Sequence, residues 1–127
     1  MVNMDYFEED SNRIVYKYKD TLYYKVKIDE LDMTSGRFLN EFINTYNPDE
    51  SILKVVLDMN DVKYIDSTIT GILIHINKSF ADRNKIIEVY NLSNSLKHMF
   101  EVVGLYEFFN IKDEYLSFPI YSIEVRK

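Results

Sequence analysis

The residues best placed to do chemistry lie between Val55 and Leu73, in the run V-V-L-D-M-N-D-V-K-Y-I-D-S-T-I-T-G-I-L. An apolar stretch ends in Asp58, a polar loop follows, and Ser67 then stands where an amphipathic helix begins. The first N–H groups of a helix lack intrahelical acceptors and carry partial positive charge, so a hydroxyl there can take a phosphate or meet an approaching anion. A serine before an apolar-periodic run is also a common N-cap, and position alone leaves both readings of Ser67 open.

Other chemistries find less support. Asp58, Asp61 and Asp66 form a loose carboxylate group of the kind used to hold magnesium or transfer glycosyl groups. Yet the only glycines are Gly36, Gly71 and Gly104, so no glycine-rich loop can cradle a nucleotide phosphate. His75 follows Ser67 by two helical turns, roughly 12 Å along the axis, which excludes a serine–histidine pair on a straight helix. His98 has no spacing that suggests a base or ligand, and the absence of cysteine removes disulfides and thiolate metal sites. The expectation is a protein without catalytic residues, cofactor or metal.

The elements that must position Ser67 can be read from periodicity. Ile14 to Lys19 and Leu22 to Ile28 are β-branched and aromatic runs around Lys19-Asp20-Thr21, an antiparallel hairpin. Ser35 to Tyr46 has the helical period at Phe38, Leu39, Phe42, Ile43 and Tyr46, with Thr34 or Ser35 as the expected cap and Asn47-Pro48 as the stop. Ile52 to Met59 is nearly continuous apolar and suits a central strand. The helix after Ser67 buries Ile69, Ile72, Leu73, Ile76 and Phe80. Ile86 to Asn91 makes another strand, and Leu92, Leu96, Met99, Phe100 and Val103 form a last helical stripe that ends at Gly104. Strand, helix, strand, helix implies parallel pairing with right-handed crossovers. The functional crevice of such a sheet lies at the carboxyl ends of its strands, where Asp58, the Asn60 to Asp66 loop and Ser67 are expected together.

The same residues resemble a family. D-S-T-x-x-G-I-L, preceded by an apolar strand ending in Leu57-Asp58 and by Ile65-Asp66, is similar to the D-S-[S/T]-G-[L/I]-G core of the STAS domain of bacterial anti-sigma factor antagonists. Glu30-Leu31-Asp32 resembles the tail of that family's G-E-L-D turn, with Asp29 in place of the glycine. Tyr90-Asn91-Leu92-Ser93 and Phe100-Glu101-Val102-Val103-Gly104-Leu105 resemble its N-L-S and L-x-x-x-G-L segments. The resemblance covers about Leu22 to Ile111. It places the family's phosphoacceptor on Ser67, its neighbours on Asp66 and Thr68 and its last glycine on Gly71, while Ile69 replaces the other glycine. Ile69 falls in the first turn of the apolar stripe, which adds core burial and removes backbone freedom at the helix start.

What the resemblance implies is a single domain over residues 1–127, with a core of about 13–111; the family ends in a helix, but Phe118 to Val125 alternates and contains Pro119, so residues 112–127 are read as an extension that suits an added edge strand or an extended tail. The expected fold is an α/β, STAS-like mixed sheet of four to five strands, antiparallel at its N-terminal hairpin and parallel after it, with three to four helices. The expected function is a phospho-switch. Unmodified, it binds an anti-sigma factor, itself a serine kinase, through Asp32, Asp66, Thr68 and Asp58, and phosphorylation of Ser67 releases it. A phosphoserine adds about −1.5 to −2 charges beside these carboxylates, which fits release by repulsion. Two other readings remain at this stage: a STAS scaffold within a sensory or lipid-transport assembly, in which Ser67 is only a cap, and a module that binds a small ligand or nucleotide.

Composition agrees with a regulatory protein. Fifteen Lys plus Arg against 21 Asp plus Glu give a formal charge of −6, which argues against nucleic acid, whose non-specific binding rests on neutralising phosphates. No apolar run is long enough for a membrane span and the first ten residues are acidic, so a cytoplasmic location is expected. Eleven tyrosines and eight phenylalanines spread through every segment, which suits core and interface packing, and homodimerisation is left open.

Overall fold

The structure, a computed structural model, describes residues 6–116. The hairpin forms where expected, as β2 (Arg13–Tyr18) and β3 (Thr21–Val26), with Lys19 in the left-handed region at φ 57° to close its tight turn. A further strand, β1 (Tyr6–Glu9), pairs antiparallel with β2, and a two-residue strand, β4 (Glu30–Leu31), follows β3. Next come a 3₁₀ turn over Arg37–Glu41 and helix α1 (Phe42–Tyr46). The remaining elements are β5 (Lys54–Asp58), β6 (Tyr64–Ile65), α2 (Ser67–Ala81), β7 (Ile86–Tyr90), α3 (Asn94–Val102) and β8 (Asn110–Ile111).

The main sheet runs β1-β2-β3-β5-β7-β8, antiparallel over its first three strands and parallel from β3 to β8. This is the expected mixed α/β architecture, extended at both edges by the short strands β1 and β8. A separate parallel pair, β4 with β6, sets Glu30 opposite Tyr64 and Leu31 opposite Ile65. Because the parallel strands advance in one direction, right-handed crossovers set all the helices on one side of the sheet. There Val15, Leu22, Tyr24, Val55, Leu57, Ile87 and Val89 meet Phe42, Ile69, Leu73, Ile76, Phe80, Leu96 and Phe100 in one core. Beyond Leu116 the expected edge strand lies outside the described residues.

One expected helix is divided. Over Ser35–Tyr46 the chain forms the 3₁₀ turn before α1, and neither Thr34 nor Ser35 caps a helix. The Asp32 carboxylate already accepts the N–H groups of Thr34 and Ser35, its carbonyl accepts that of Gly36, and the Ser35 hydroxyl donates to Glu30 O, so these groups close a turn instead. At the other end of this segment a buried lysine serves as the stop. Lys85 Nζ donates to Asn47 O, the C-cap carbonyl of α1, and to Asp49 O in the turn that follows, both at 2.7 Å. Lys85→Met keeps the aliphatic packing and removes both charged hydrogen bonds, so urea unfolding should register a loss of about 2 kcal/mol. Helix α3 ends as the sequence predicts: Gly104 lies at φ 77°, and Leu105 N–H reaches back to Phe100 O at 2.7 Å.

Candidate functional site

Helix α2 begins with a division of labour between two adjacent residues. Asp66 is its N-cap: Oδ1 accepts Ile69 N–H at 2.9 Å, and its carbonyl accepts both N–H and Oγ1 of Thr70 at 3.0 Å. Oδ2 accepts Met33 N–H at 3.1 Å, and the Asp66 N–H donates to Leu31 O at 3.1 Å. One aspartate therefore ties the start of α2 to the segment just after β4. Ser67 is the first helical residue, exposed, and its hydroxyl makes no hydrogen bond among the described residues. The reading of Ser67 as the cap is thus corrected: a cap needs an oxygen aimed at the N–H groups of the first turn, and Asp66 fills that place. The N–H groups of Ser67 and Thr68 also have no acceptor there, which leaves two donors beside the free hydroxyl.

Asp32 comes to the same edge through the β4–β6 pair and the Met33–Asp66 hydrogen bond. Its Oδ1 accepts from Thr34 at 2.9 Å and Ser35 at 2.8 Å, while Oδ2 accepts nothing among the described residues. Hydrogen bonds from the backbone N–H groups of Ser35 and then Thr34 hold its carboxyl below the ordinary aspartate value of 3.8. A depressed carboxylate pKa means that the turn's bonds are intact above the ordinary value and are lost as pH falls through the lowered one. In an NMR titration the Thr34 and Ser35 amide shifts should move together, with a midpoint below 3.8.

Asp58 requires a correction as a partner contact, because its side chain is fully buried. Oδ1 accepts from Asn60 N–H and Asn91 Nδ2, both at 2.9 Å, and Oδ2 lies 3.7 Å from Lys25 Nζ. A carboxylate buried beside a cation and two donors anchors the loop after β5 and is closed to a docking surface. The strand-end crevice is likewise narrower than expected. A cleft of about 240 Å³ does sit at the ends of β5 and β7, lined by Asn60, Asn91, Ser93, Lys97 and Lys112 among others, but Ser67 does not line it. Thr68 instead lines a mostly apolar groove of about 260 Å³ with Leu39, Ile43, Gly71, Ile72 and His75, where the 3₁₀ turn and α1 approach α2.

Ile69 points away from all of this. It is fully buried, and a β-carbon on Gly36 would overlap its Cδ1. The bulk added at position 69 is accommodated inside the protein by the missing side chain at Gly36, so the surface around Ser67 does not carry it.

The sequence profile of the STAS domain matches residues 2–116. The chain belongs to the STAS domain family. Among its relatives is an anti-sigma-B factor antagonist of Listeria monocytogenes, 30% identical over 84 residues that cover 66% of this chain and 73% of the relative. Two solved structures share the fold at low identity. The anti-sigma factor antagonist SpoIIAA in its unphosphorylated form matches with a TM-score of 0.62 and 12% identity, over 97% of this chain and 99% of that one. The Bacillus cell fate determinant SpoIIAA in its phosphorylated form matches with a TM-score of 0.59 and 14% identity, over 88% and 93%.

Within this STAS domain, Ser67, Thr68 and Asp32 share the edge that α2 and the β4–β6 pair build, while Asp66 is committed to the scaffold and Asp58 to the interior. Sequence reasoning missed Met33, Gly36 and Asn91. Gly36 and Met33 gave no periodic signal, because each acts through a partner some thirty residues away. Asn91 had one available sign, an asparagine directly after a strand, where its tolerance of the left-handed region is useful; it lies at φ 64°.

Proposed function

We propose that this protein is a non-enzymatic phospho-switch: unmodified, it binds an anti-sigma factor serine kinase over Ser67, Thr68 and Asp32, and phosphorylation of Ser67 releases it. The observation that carries the reading is the free, exposed Ser67 hydroxyl on a fifteen-residue helix whose cap is already supplied by Asp66. A serine with no structural duty, flanked by two unclaimed N–H donors, can accept a phosphate without loss of fold. The Listeria relative's name supports a partner of the anti-sigma factor class. The direct test is incubation with the cognate kinase and ATP, followed by mapping of the phosphate, which is expected on Ser67.

Gly71 adds a second line of support. It sits in the interior of α2, where glycine costs about 1 kcal/mol relative to alanine, and a β-carbon there would meet nothing within 4 Å. Packing within the fold gives no reason for the glycine. Close approach of a partner's backbone along the groove beside Thr68 does give one. Gly71→Ala should therefore raise unfolding stability by about 0.5–1 kcal/mol while weakening kinase binding, a combination that thermal denaturation and calorimetry would resolve.

A further inference from the structure

Two large apolar side chains stand exposed beside Ser67, and packing within the fold accounts for neither. Met33 is 65% exposed and Tyr64 51%. In the β4–β6 pair Leu31 and Ile65 are buried, so strand alternation turns Glu30 and Tyr64 outward together. Asp32 follows on the same edge, and Met33 comes next, in the turn that the Asp32 carboxylate closes.

Both side chains stand on a fixed backbone. Met33 N–H is held by Asp66 Oδ2 at 3.1 Å, Tyr64 N–H by Asp29 O at 3.1 Å, and Gly36 N–H by Asp32 O at 2.8 Å. Scattered exposed apolar residues are ordinary on a protein surface. Two of them on hydrogen-bonded backbone at one functional edge have the character of interface anchors, which lose little entropy on docking.

The area that a kinase must cover takes in both. A stable interface buries about 800 Å² on each partner, a patch roughly 16 Å in radius. The bond to Asp66 keeps the Met33 and Ser67 Cα atoms within roughly 12 Å, and Tyr64, three residues before Ser67, lies within roughly 11 Å of it. A patch centred on Ser67 therefore includes Met33 and Tyr64. Glu30, paired opposite Tyr64, and Asp32 rim these two residues with carboxylates, so charge complementarity asks for basic side chains around an apolar centre.

We propose that Met33 and Tyr64 are the apolar anchors of the docking surface, seated against an apolar patch of the anti-sigma factor kinase that is rimmed by Lys or Arg. The proposal rests on the reading of Ser67 as that kinase's substrate, and it adds what selects the partner: affinity comes from the outward face of the β4–β6 pair and its following turn, apart from the chemistry at the hydroxyl.

Calorimetry and phosphorylation kinetics with the cognate anti-sigma factor kinase test this. Met33→Ala removes the exposed side chain and keeps the backbone bond to Asp66, and Tyr64→Thr keeps a β-branched residue in β6, so both variants should melt as the wild type does. Each should weaken kinase binding at least tenfold and raise the KM for phosphorylation of Ser67 at unchanged kcat, while Met33→Leu should restore binding to within about threefold of wild type. Leu53→Ala, at a half-exposed apolar residue just before the amino end of β5, should change neither quantity. Wild-type affinity in Met33→Ala and Tyr64→Thr, with Ser67→Asp still releasing the kinase, would overturn the anchors and leave the phospho-switch standing. Loss of self-association in these variants at undiminished kinase affinity would assign the pair to a second copy of the chain and overturn the proposal as well. A wild-type protein that neither binds the kinase nor takes phosphate from it would overturn both.

Discussion

Ser67→Asp should weaken binding to the anti-sigma factor kinase by about a hundredfold, the equivalent of roughly 2.7 kcal/mol. The substitution sets a carboxylate one residue from Asp66 and on the same edge as Asp32, so a partner surface that complements the unmodified site meets added like charge and a new desolvation cost. Phosphate carries up to twice that charge, which makes the aspartate variant a lower bound on the effect of modification. An acidic residue in the first turn of a helix is tolerated or mildly stabilising, so lost affinity with an unchanged melting temperature separates electrostatic release from unfolding. Calorimetric titration at two ionic strengths measures it, and undiminished affinity at both would remove repulsion as the release mechanism.

Asp66→Ala should destabilise the fold by about 2–3 kcal/mol, while Ser67→Ala stays within about 0.5 kcal/mol of wild type. The contrast follows from the bonds each residue makes. Asp66 supplies the cap to Ile69 N–H and the acceptor for Met33 N–H, and both donors lose a charged partner in the alanine variant. Ser67 gives up nothing but an exposed hydroxyl. Asp66→Asn keeps one acceptor oxygen for Ile69 and surrenders the Met33 bond, so its cost should fall between the two. Urea unfolding of the three variants ranks them. A Ser67→Ala cost equal to that of Asp66→Ala would return Ser67 to a capping role and favour the scaffold reading.

The strands and helices that build the core were legible because each carried its own period. Leu22, Tyr24 and Val26 alternate, and Leu73, Ile76 and Phe80 recur at helical spacing, so local pattern and tertiary burial agree. The two-residue strands β4, β6 and β8 are too short to show any period, and they exist only because a distant segment pairs with them. At the candidate site, the sequence reading expected Ser67 and Asp32 on one edge, where the structure has them, but misassigned the roles of the residues around them. A D-S pair at a helix start does not say which residue caps; that is decided by Asp66 Oδ1 reaching Ile69 N–H. Nor does an apolar strand ending in aspartate reveal that Lys25, across the sheet, and Asn91, thirty-three residues on, close over Asp58. Ile69 was legible as a core residue from its place in the apolar stripe, but its accommodation by Gly36 is visible only in three dimensions.

The central claim is that Ser67 is the residue modified and that its modification controls binding. The most direct measurement is one time course of the protein with its cognate kinase and ATP, in which phosphate is mapped by peptide mass spectrometry and bound complex is followed in parallel. Phosphate should accumulate on Ser67, be absent from Ser67→Ala, and rise in step with loss of the complex. Phosphate on another residue, or a complex that persists after Ser67 is fully modified, would contradict the account.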